Sequence, residues 1–190
     1  MRVVGGSLRG RALATPKNCD VRPTSDRVRE AIFNVLEHSI EDFSIEGGNV
    51  LDLFAGTGAL GIEALSHGAA QAVFVDNSAA SRALIQENIQ ALGLGGTATI
   101  YRRSALDLGT AYRKLSFKLI FADPPYGNGL GELAVASAID NGWVSTGAVI
   151  VLEEAAGAEL VLPAACALID QRRYGNTQVM IARYNPASDG

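Results

Sequence analysis

The chain has only two cysteines, Cys19 and Cys166, and two histidines, His38 and His67, in 190 residues. At these separations they form no metal-ligand spacing, no catalytic triad and no disulfide framework, which points to a reducing compartment. The cysteines are expected to be small buried hydrophobes and the histidines ordinary helix-end residues. Also missing is any apolar run near the roughly 18 residues needed to cross a bilayer, and no charged-then-apolar leader opens the chain. These absences exclude a zinc module, a disulfide scaffold and a helical membrane protein. They lead to the expectation of a soluble, cytoplasmic monomer without a metal. What is present is a large apolar fraction, 48%, enough to build one core with a small appendage.

A formal net charge of −4 argues at first against a polyanionic partner. The distribution argues the other way. Residues 1–30 hold seven basic side chains (Arg2, Arg9, Arg11, Lys17, Arg22, Arg27 and Arg29) against three acids, a balance of +4 that leaves −8 for the rest. A basic segment on an acidic body attracts phosphate locally, although a solvated arm without a partner has the same composition.

From residue 48 onward short β-branched runs alternate with helical patterns, the signature of a parallel sheet with crossover helices. Strands are predicted at 49–54, 71–75, 97–102, 117–122 and 147–152, and helices at 59–66, 79–92, 106–114 and 130–141. Residues 167–174 and 178–184 read as an antiparallel hairpin turning across Gly175-Asn176, so that seven strands form a mostly parallel sheet with one antiparallel edge. Ahead of the core, residues 2–14 resemble a short hairpin or extended arm. Thr24 or Ser25 is placed to cap a helix to His38, with Val28, Ile32, Val35 and Leu36 packed on the sheet and Arg22, Arg27 and Arg29 free to face a substrate. The expected division is a basic arm over residues 1–23 and a catalytic domain over 24–190. Trp143 is expected to pack behind the sheet.

The stretch LDLFAGTGALG, residues 51–61, satisfies G-x-G-x-x-G between a strand and a helix, where glycines admit a ligand to the backbone and the helix offers unpaired N–H groups. Asp76, 20 residues beyond Gly56, can accept both hydroxyls of a ribose. To this point a nicotinamide-dependent oxidoreductase fits. Asp52 tilts the reading, because a carboxylate four residues before Gly56 repels a pyrophosphate by on the order of a few kcal/mol when water is excluded, yet suits an ammonium group. A capping role for Asp52 is the simpler alternative.

The fourth predicted strand ends FADPPYG. In an open α/β sheet its carboxyl end adjoins that of the first strand, at the ligand crevice. An exocyclic amino group has its lone pair delocalised into the base. Two acceptors, the Asp123 carboxylate and the Pro124 carbonyl, can bond its two hydrogens and favour a pyramidal nitrogen. Pro124 and Pro125 stiffen the turn and offer no competing N–H. Tyr126 supplies a face for an extruded base, an interaction worth roughly 1 to 3 kcal/mol. These are positioning roles that require no strong base.

The segments LDLFAGTGALG, VFVDNS and FADPPYG resemble motifs I, II and IV of class I S-adenosylmethionine-dependent amino-methyltransferases. MRVVGGSLRGRALATP and VRPTSDRVREAIFNVL resemble the N-terminal region of the RsmD family, bacterial 16S rRNA guanine-N2 methyltransferases, and the similarity spans essentially the whole chain. The resemblance implies a Rossmann-like fold, S-adenosylmethionine as methyl donor, S-adenosylhomocysteine as product, and 16S rRNA in a partly or fully assembled small subunit as substrate. DPPY alone fits adenine-N6 or cytosine-N4 methylation of DNA or RNA equally well. By the same resemblance Asp52, Phe54, Gly56 and Gly58 line the methionine end of the cofactor, and Asp76 and Asn77 face the ribose. Ser104, Ala105 and Leu106 approach the adenine, with Ser104 where many members have an acid and Asp107 a less well placed substitute. Catalytic roles fall to Asp123, Pro124, Pro125 and Tyr126, and RNA contacts to Arg9, Arg11, Arg22, Thr24 and Arg27.

Overall fold

A computed structural model of the protein describes residues 1–16, 25–111 and 115–186. Arg22, Thr24, Lys17 and Cys19 lie outside the described residues, as does the expected boundary at residue 23.

Among the described residues four α-helices, α1 (Asp26–His38), α2 (Ala59–Ser66), α3 (Ala79–Leu92) and α4 (Leu130–Asp140), surround seven strands. The strands are β1 (Asn49–Leu53), β2 (Gln71–Val75), β3 (Ala98–Tyr101), β4 (Phe117–Ala122), β5 (Val144–Ala155), β6 (Cys166–Tyr174) and β7 (Thr177–Tyr184). They form one sheet in the order β3-β2-β1-β4-β5-β7-β6. The first five are mutually parallel, and β7 runs antiparallel to both β5 and β6. This is the seven-stranded α/β architecture expected from the sequence.

Alternation along the central strands divides the core. Val50, Phe74 and Phe121 point into one layer with α1, α2 and α3, whereas Leu51, Leu53, Val73, Ile120 and Ile150 point into the other with α4. A period of two with both sets apolar is what a sheet covered on both faces demands. Ser25 caps α1, its hydroxyl accepting from the Val28 N–H at 3.3 Å. The helix then buries Val28, Ile32, Phe33, Val35 and Leu36, each worth roughly 1.5 to 3 kcal/mol on removal from water. Trp143 is fully buried, stacks on Phe117 and donates its indole N–H to the Gly109 carbonyl at 2.7 Å.

Three sequence expectations need correction. Arg29 does not face a substrate; it is fully buried, pairs with Asp26 at 3.0 Å and Glu63 at 3.5 Å, and donates to the Arg2 carbonyl. The predicted helix at 106–114 is absent over its described residues. Ser104 and Asp107 close a tight turn instead, and Gly109 at φ +63 carries the chain away. Ala105 and Leu108 are buried in this turn. Finally, β5 begins at Val144, because an irregularity in its pairing with β4 accommodates Gly147 at φ +79. It also runs on to Ala155 beside β7, which brings Glu153 and Glu154 to the working edge of the sheet.

Candidate functional site

Leu53 pairs with Ala122, so the carboxyl ends of β1 and β4 lie side by side. The chain leaves β1 for β2 and β3, then resumes on the opposite side at β4. Strand order therefore reverses at this pair, and a crevice opens outside it. The glycine turn, the residue after β2 and the DPPY turn all enter that crevice from strand ends.

The glycine turn is built on left-handed backbone. Gly56 and Gly58 have φ of +56 and +77, and Phe54 joins them at +59 despite its side chain. Such a conformation in a bulky residue costs on the order of 1 kcal/mol or more and clusters at binding sites. Two carboxylates hold the turn in place. Asp76 accepts the Gly56 N–H at 2.9 Å on one oxygen and the Ser78 N–H at 2.8 Å on the other. Asp52, 1% exposed, accepts the Gly61 N–H at 3.0 Å from the first turn of α2. The close approach at Gly61 is permitted by its missing side chain, since a Cβ would stand 2.4 Å from Cε1 of Phe74.

Burial pushes the Asp52 carboxyl well above the usual range; the Gly61 N–H opposes this, and the charges of Asp123 and Asp76 add to it. Three carboxyl groups thus share one crevice. The Gly56 and Gly61 N–H groups are already bonded to two of them, Asp76 and Asp52. An adenosine ligand carrying positive charge relieves this repulsion, whereas a dinucleotide adds to it.

In the DPPY turn Asp123 is half-buried, Pro124 is buried, and Pro125 and Tyr126 are exposed. The tyrosine ring is tethered at its far end. Its hydroxyl donates to Glu153 at 2.8 Å and meets the Thr177 hydroxyl at 3.1 Å. Burial raises the phenol's pKa, the Thr177 hydrogen bond opposes the shift, and Glu153 and Asp123 add to it, so Tyr126 remains a neutral donor at physiological pH. Glu154 accepts the Gly127 N–H at 3.1 Å. Glu153 and Glu154 are themselves buried on β5. From beneath, α4 presses on the same turn: a Cβ at Gly131 would lie 2.2 Å from Leu152 and 3.3 Å from Pro124.

The sequence reasoning missed Glu153, Glu154 and Thr177, although two acids ending an apolar strand run are a legible irregularity. Asn77 is exposed just beyond Asp76. Ser104 spends its hydroxyl locally, accepting from the Leu106 N–H at 3.2 Å; Ala105 is buried and Leu106 exposed. The order β3-β2-β1 places this segment on the β2 side of the glycine turn.

Residues 1–16 fold back as a short hairpin, with the Val3 N–H bonded to Arg11 and the Gly10 N–H to Val3, both at 2.9 Å. Val3 and Leu13 enter the core layer of α1–α3. The hairpin is held by side chains of α2 and α3. Glu63 accepts the N–H groups of Val4 at 3.0 Å and Gly5 at 2.6 Å, and Ser66 accepts that of Leu8 at 2.9 Å. Arg9, Arg11 and Arg27 are exposed, and Arg11 donates to the Ala91 carbonyl at 3.0 Å. His67 ends α2, where Glu63 and Glu37 raise its pKa against an opposing effect of burial. Among the described residues no helix is long and apolar enough to cross a membrane, and no cluster of three or more His, Cys, Asp or Glu is placed to hold a metal.

The family model described as Conserved hypothetical protein 95 matches residues 1–183. Ribosomal RNA small subunit methyltransferase D of Escherichia coli strain K12 is 38% identical over 80% of this chain and 74% of its own length. A putative rRNA methyltransferase of Bacillus subtilis, YlbH, is 41% identical over 66% of this chain and 67% of its own. Among solved structures, the putative methyltransferase yhhF from Escherichia coli superposes with a TM-score of 0.82 at 33% identity, covering 97% of this chain and 98% of that one. The strand order, the glycine turn facing DPPY and these similarities together place the chain in the RsmD family of S-adenosylmethionine-dependent methyltransferases.

Proposed function

We propose that the protein transfers a methyl group from S-adenosylmethionine to the exocyclic N2 of a guanine in 16S rRNA of the small ribosomal subunit, in the cytoplasm. The observation that supports it most is the acidic crevice, in which Asp52 and Asp76 bond the glycine turn at Gly61 and Gly56 while DPPY stands across from them. S-adenosylmethionine supplies an electrophilic methyl on a sulfonium centre and leaves as S-adenosylhomocysteine. In this reading Asp52 and the turn formed by Phe54, Gly56 and Gly58 face the cationic methionine end. Asp76, with lone pairs remaining on both oxygens, accepts the ribose hydroxyls, beside Asn77. Ser104, Ala105 and Leu106 border the adenine.

Asp123 and the Pro124 carbonyl each accept one amine hydrogen, turning the nitrogen lone pair toward the methyl carbon. Holding the reactants in line supplies several kcal/mol of barrier reduction. Because the N2 of a paired guanine lies in the minor groove and bonds to cytosine, the base must be unpaired or flipped. Tyr126, fixed by Glu153, is the platform that receives it, with Pro125 stiffening the approach. Arg9, Arg11 and Arg27, with Arg22 and Thr24, contact the RNA backbone, and the assembled shape of the subunit directs recognition.

The test incubates the protein and labelled S-adenosylmethionine with free 16S rRNA, assembled small subunits and DNA, followed by digestion to nucleosides. N2-methylguanosine from the rRNA or the subunits is expected. N6-methyladenine would overturn the choice of base. Asp123→Ala is expected to abolish transfer while leaving S-adenosylhomocysteine affinity within about tenfold; unchanged turnover refutes the role given to Asp123.

A further inference from the structure

Asn88, on the inner face of α3, lies in neither the cofactor turn nor the basic hairpin, yet it bonds to both. It is 1% exposed. Its amide oxygen accepts the Ala14 N–H at 2.7 Å, and its amide nitrogen donates to the Ala14 carbonyl at 3.3 Å and the Thr57 carbonyl at 2.9 Å. Thr57 is the central residue of the Gly56-Thr57-Gly58 turn, and Ala14 follows the second limb of the hairpin. Two segments separated by more than forty residues in sequence therefore share one buried side chain.

The chemistry of the link is specific to an amide. Asparagine presents one acceptor and two N–H donors in a plane, matching one backbone N–H and two carbonyls. An aspartate would set carboxylate oxygens against those carbonyls. An alanine would leave the Ala14 N–H and the Thr57 carbonyl without their buried partner. Among the described residues the other side chains that anchor the hairpin, Glu63 and Ser66 on α2 and Arg29 on α1, contact residues 2–8 and do not reach Ala14 or Thr57 in the hydrogen bonds they make there.

We infer that Asn88 is a positioning residue that couples the RNA-binding hairpin to the cofactor turn, so that each ligand tightens the binding of the other. The inference rests on the function proposed above. RNA phosphates that hold Arg9 and Arg11 fix the hairpin in its docked position, which fixes Ala14 on Asn88 and, through it, the Thr57 carbonyl in the left-handed turn. Cofactor in the turn acts in the opposite direction through the same atoms. Coupling between two binding sites is reciprocal, so the factor must be equal from either side.

The experiment measures S-adenosylhomocysteine affinity with and without saturating unmethylated small subunits, and subunit affinity with and without S-adenosylhomocysteine. The wild-type protein should show the same enhancement in both directions, about fivefold or more. In Asn88→Ala and Asn88→Asp the enhancement should fall to about onefold while each ligand alone still binds. Ala14→Pro removes the hairpin's N–H from the other side of the bond and leaves the sequences of α3 and the turn unchanged, and should have the same effect even where substitution of Asn88 perturbs folding. A residue that merely stabilised the fold would weaken both affinities and leave their ratio intact. Full enhancement in the folded variants, or an enhancement of onefold in the wild type that binds both ligands, overturns the inference. Failure of the wild type to bind either ligand overturns the methyltransferase reading as well, and is distinguished by the single-ligand titrations.

Discussion

Glu63 is the most consequential buried charge outside the crevice, and Glu63→Ala is the sharpest test of how the N-terminal hairpin is held. The carboxylate is completely buried in the middle of α2. It accepts the Val4 and Gly5 N–H groups, lies 3.5 Å from the Arg29 guanidinium and 3.6 Å from the His67 ring. Removing one partner of such a pair strands the other charge in an apolar layer, which costs about 3 to 5 kcal/mol. Asp26 still contacts Arg29, which favours the lower part of that range. For a chain of this size 1 kcal/mol corresponds to roughly 2 to 4 °C in Tm, so a fall of about 6 to 15 °C is expected in a thermal melt, with a matching shift in urea midpoint. The double variant Glu63→Leu with Arg29→Met removes both charges and should recover much of the loss, with a coupling of about 0.5 to 3 kcal/mol or more in the double-mutant cycle. A loss below about 1 kcal/mol for Glu63→Ala, or strict additivity in the cycle, would show that the buried charge of Glu63 does not hold the hairpin.

Other perturbations follow from the crevice. Because burial raises the Asp52 pKa in the folded chain, its contribution to stability is full below the unfolded value near 3.8 and is lost as pH rises through the folded value. Asp52→Asn should therefore raise the Tm of the unliganded protein at pH 7 and weaken S-adenosylmethionine binding; a lower Tm contradicts this. A cofactor ammonium beside Asp52 lowers its pKa, so binding releases a proton and affinity should climb with pH up to the unliganded pKa, a slope that calorimetry should find missing in Asp52→Asn. Gly61→Ala forces a methyl against Phe74 and toward Asp52, costing about 1 to 3 kcal/mol and weakening cofactor affinity, readable as Tm and Kd. Tyr126→Phe keeps the stacking face but removes the tether to Glu153, and should lower kcat more than it raises KM; an unchanged kcat shows that the ring needs no anchor. Replacing Arg9 and Arg11 should lower the slope of log affinity for rRNA against log salt by roughly one for each phosphate no longer neutralised, and an equally steep slope would exclude the hairpin as the RNA-binding surface.

Much of the fold could be read from local pattern. The limits of α2, α3, β2 and β4 coincide with those expected, because their apolar periodicity and their bounding glycines and turn residues agree. The expected helix at 106–114 failed over its described residues because the chain turns between Ser104 and Asp107 and Gly109, at φ +63, gives its carbonyl to the buried indole of Trp143. Arg29 was misplaced for a related reason. Its spacing of three, four and seven residues to Ile32, Phe33 and Leu36 puts it on the buried side of α1, where the carboxylate of Glu63, 34 residues away in sequence, supplies the partner that lets a charged group be buried.

By itself the sequence determined the order of strands and helices, the glycine turn, the acidic residue after β2 and the DPPY turn, since each depends on residues adjacent in the chain. Tertiary structure alone decided which groups share an electrostatic environment: Asp52 with Asp76 and Asp123, Tyr126 with Glu153, and Asn88 with both Ala14 and Thr57. The physical reason is that hydrogen bonds and charge repulsion act over a few ångströms of space, and only sheet pairing and the packing of helices on the sheet bring distant parts of the chain to that separation.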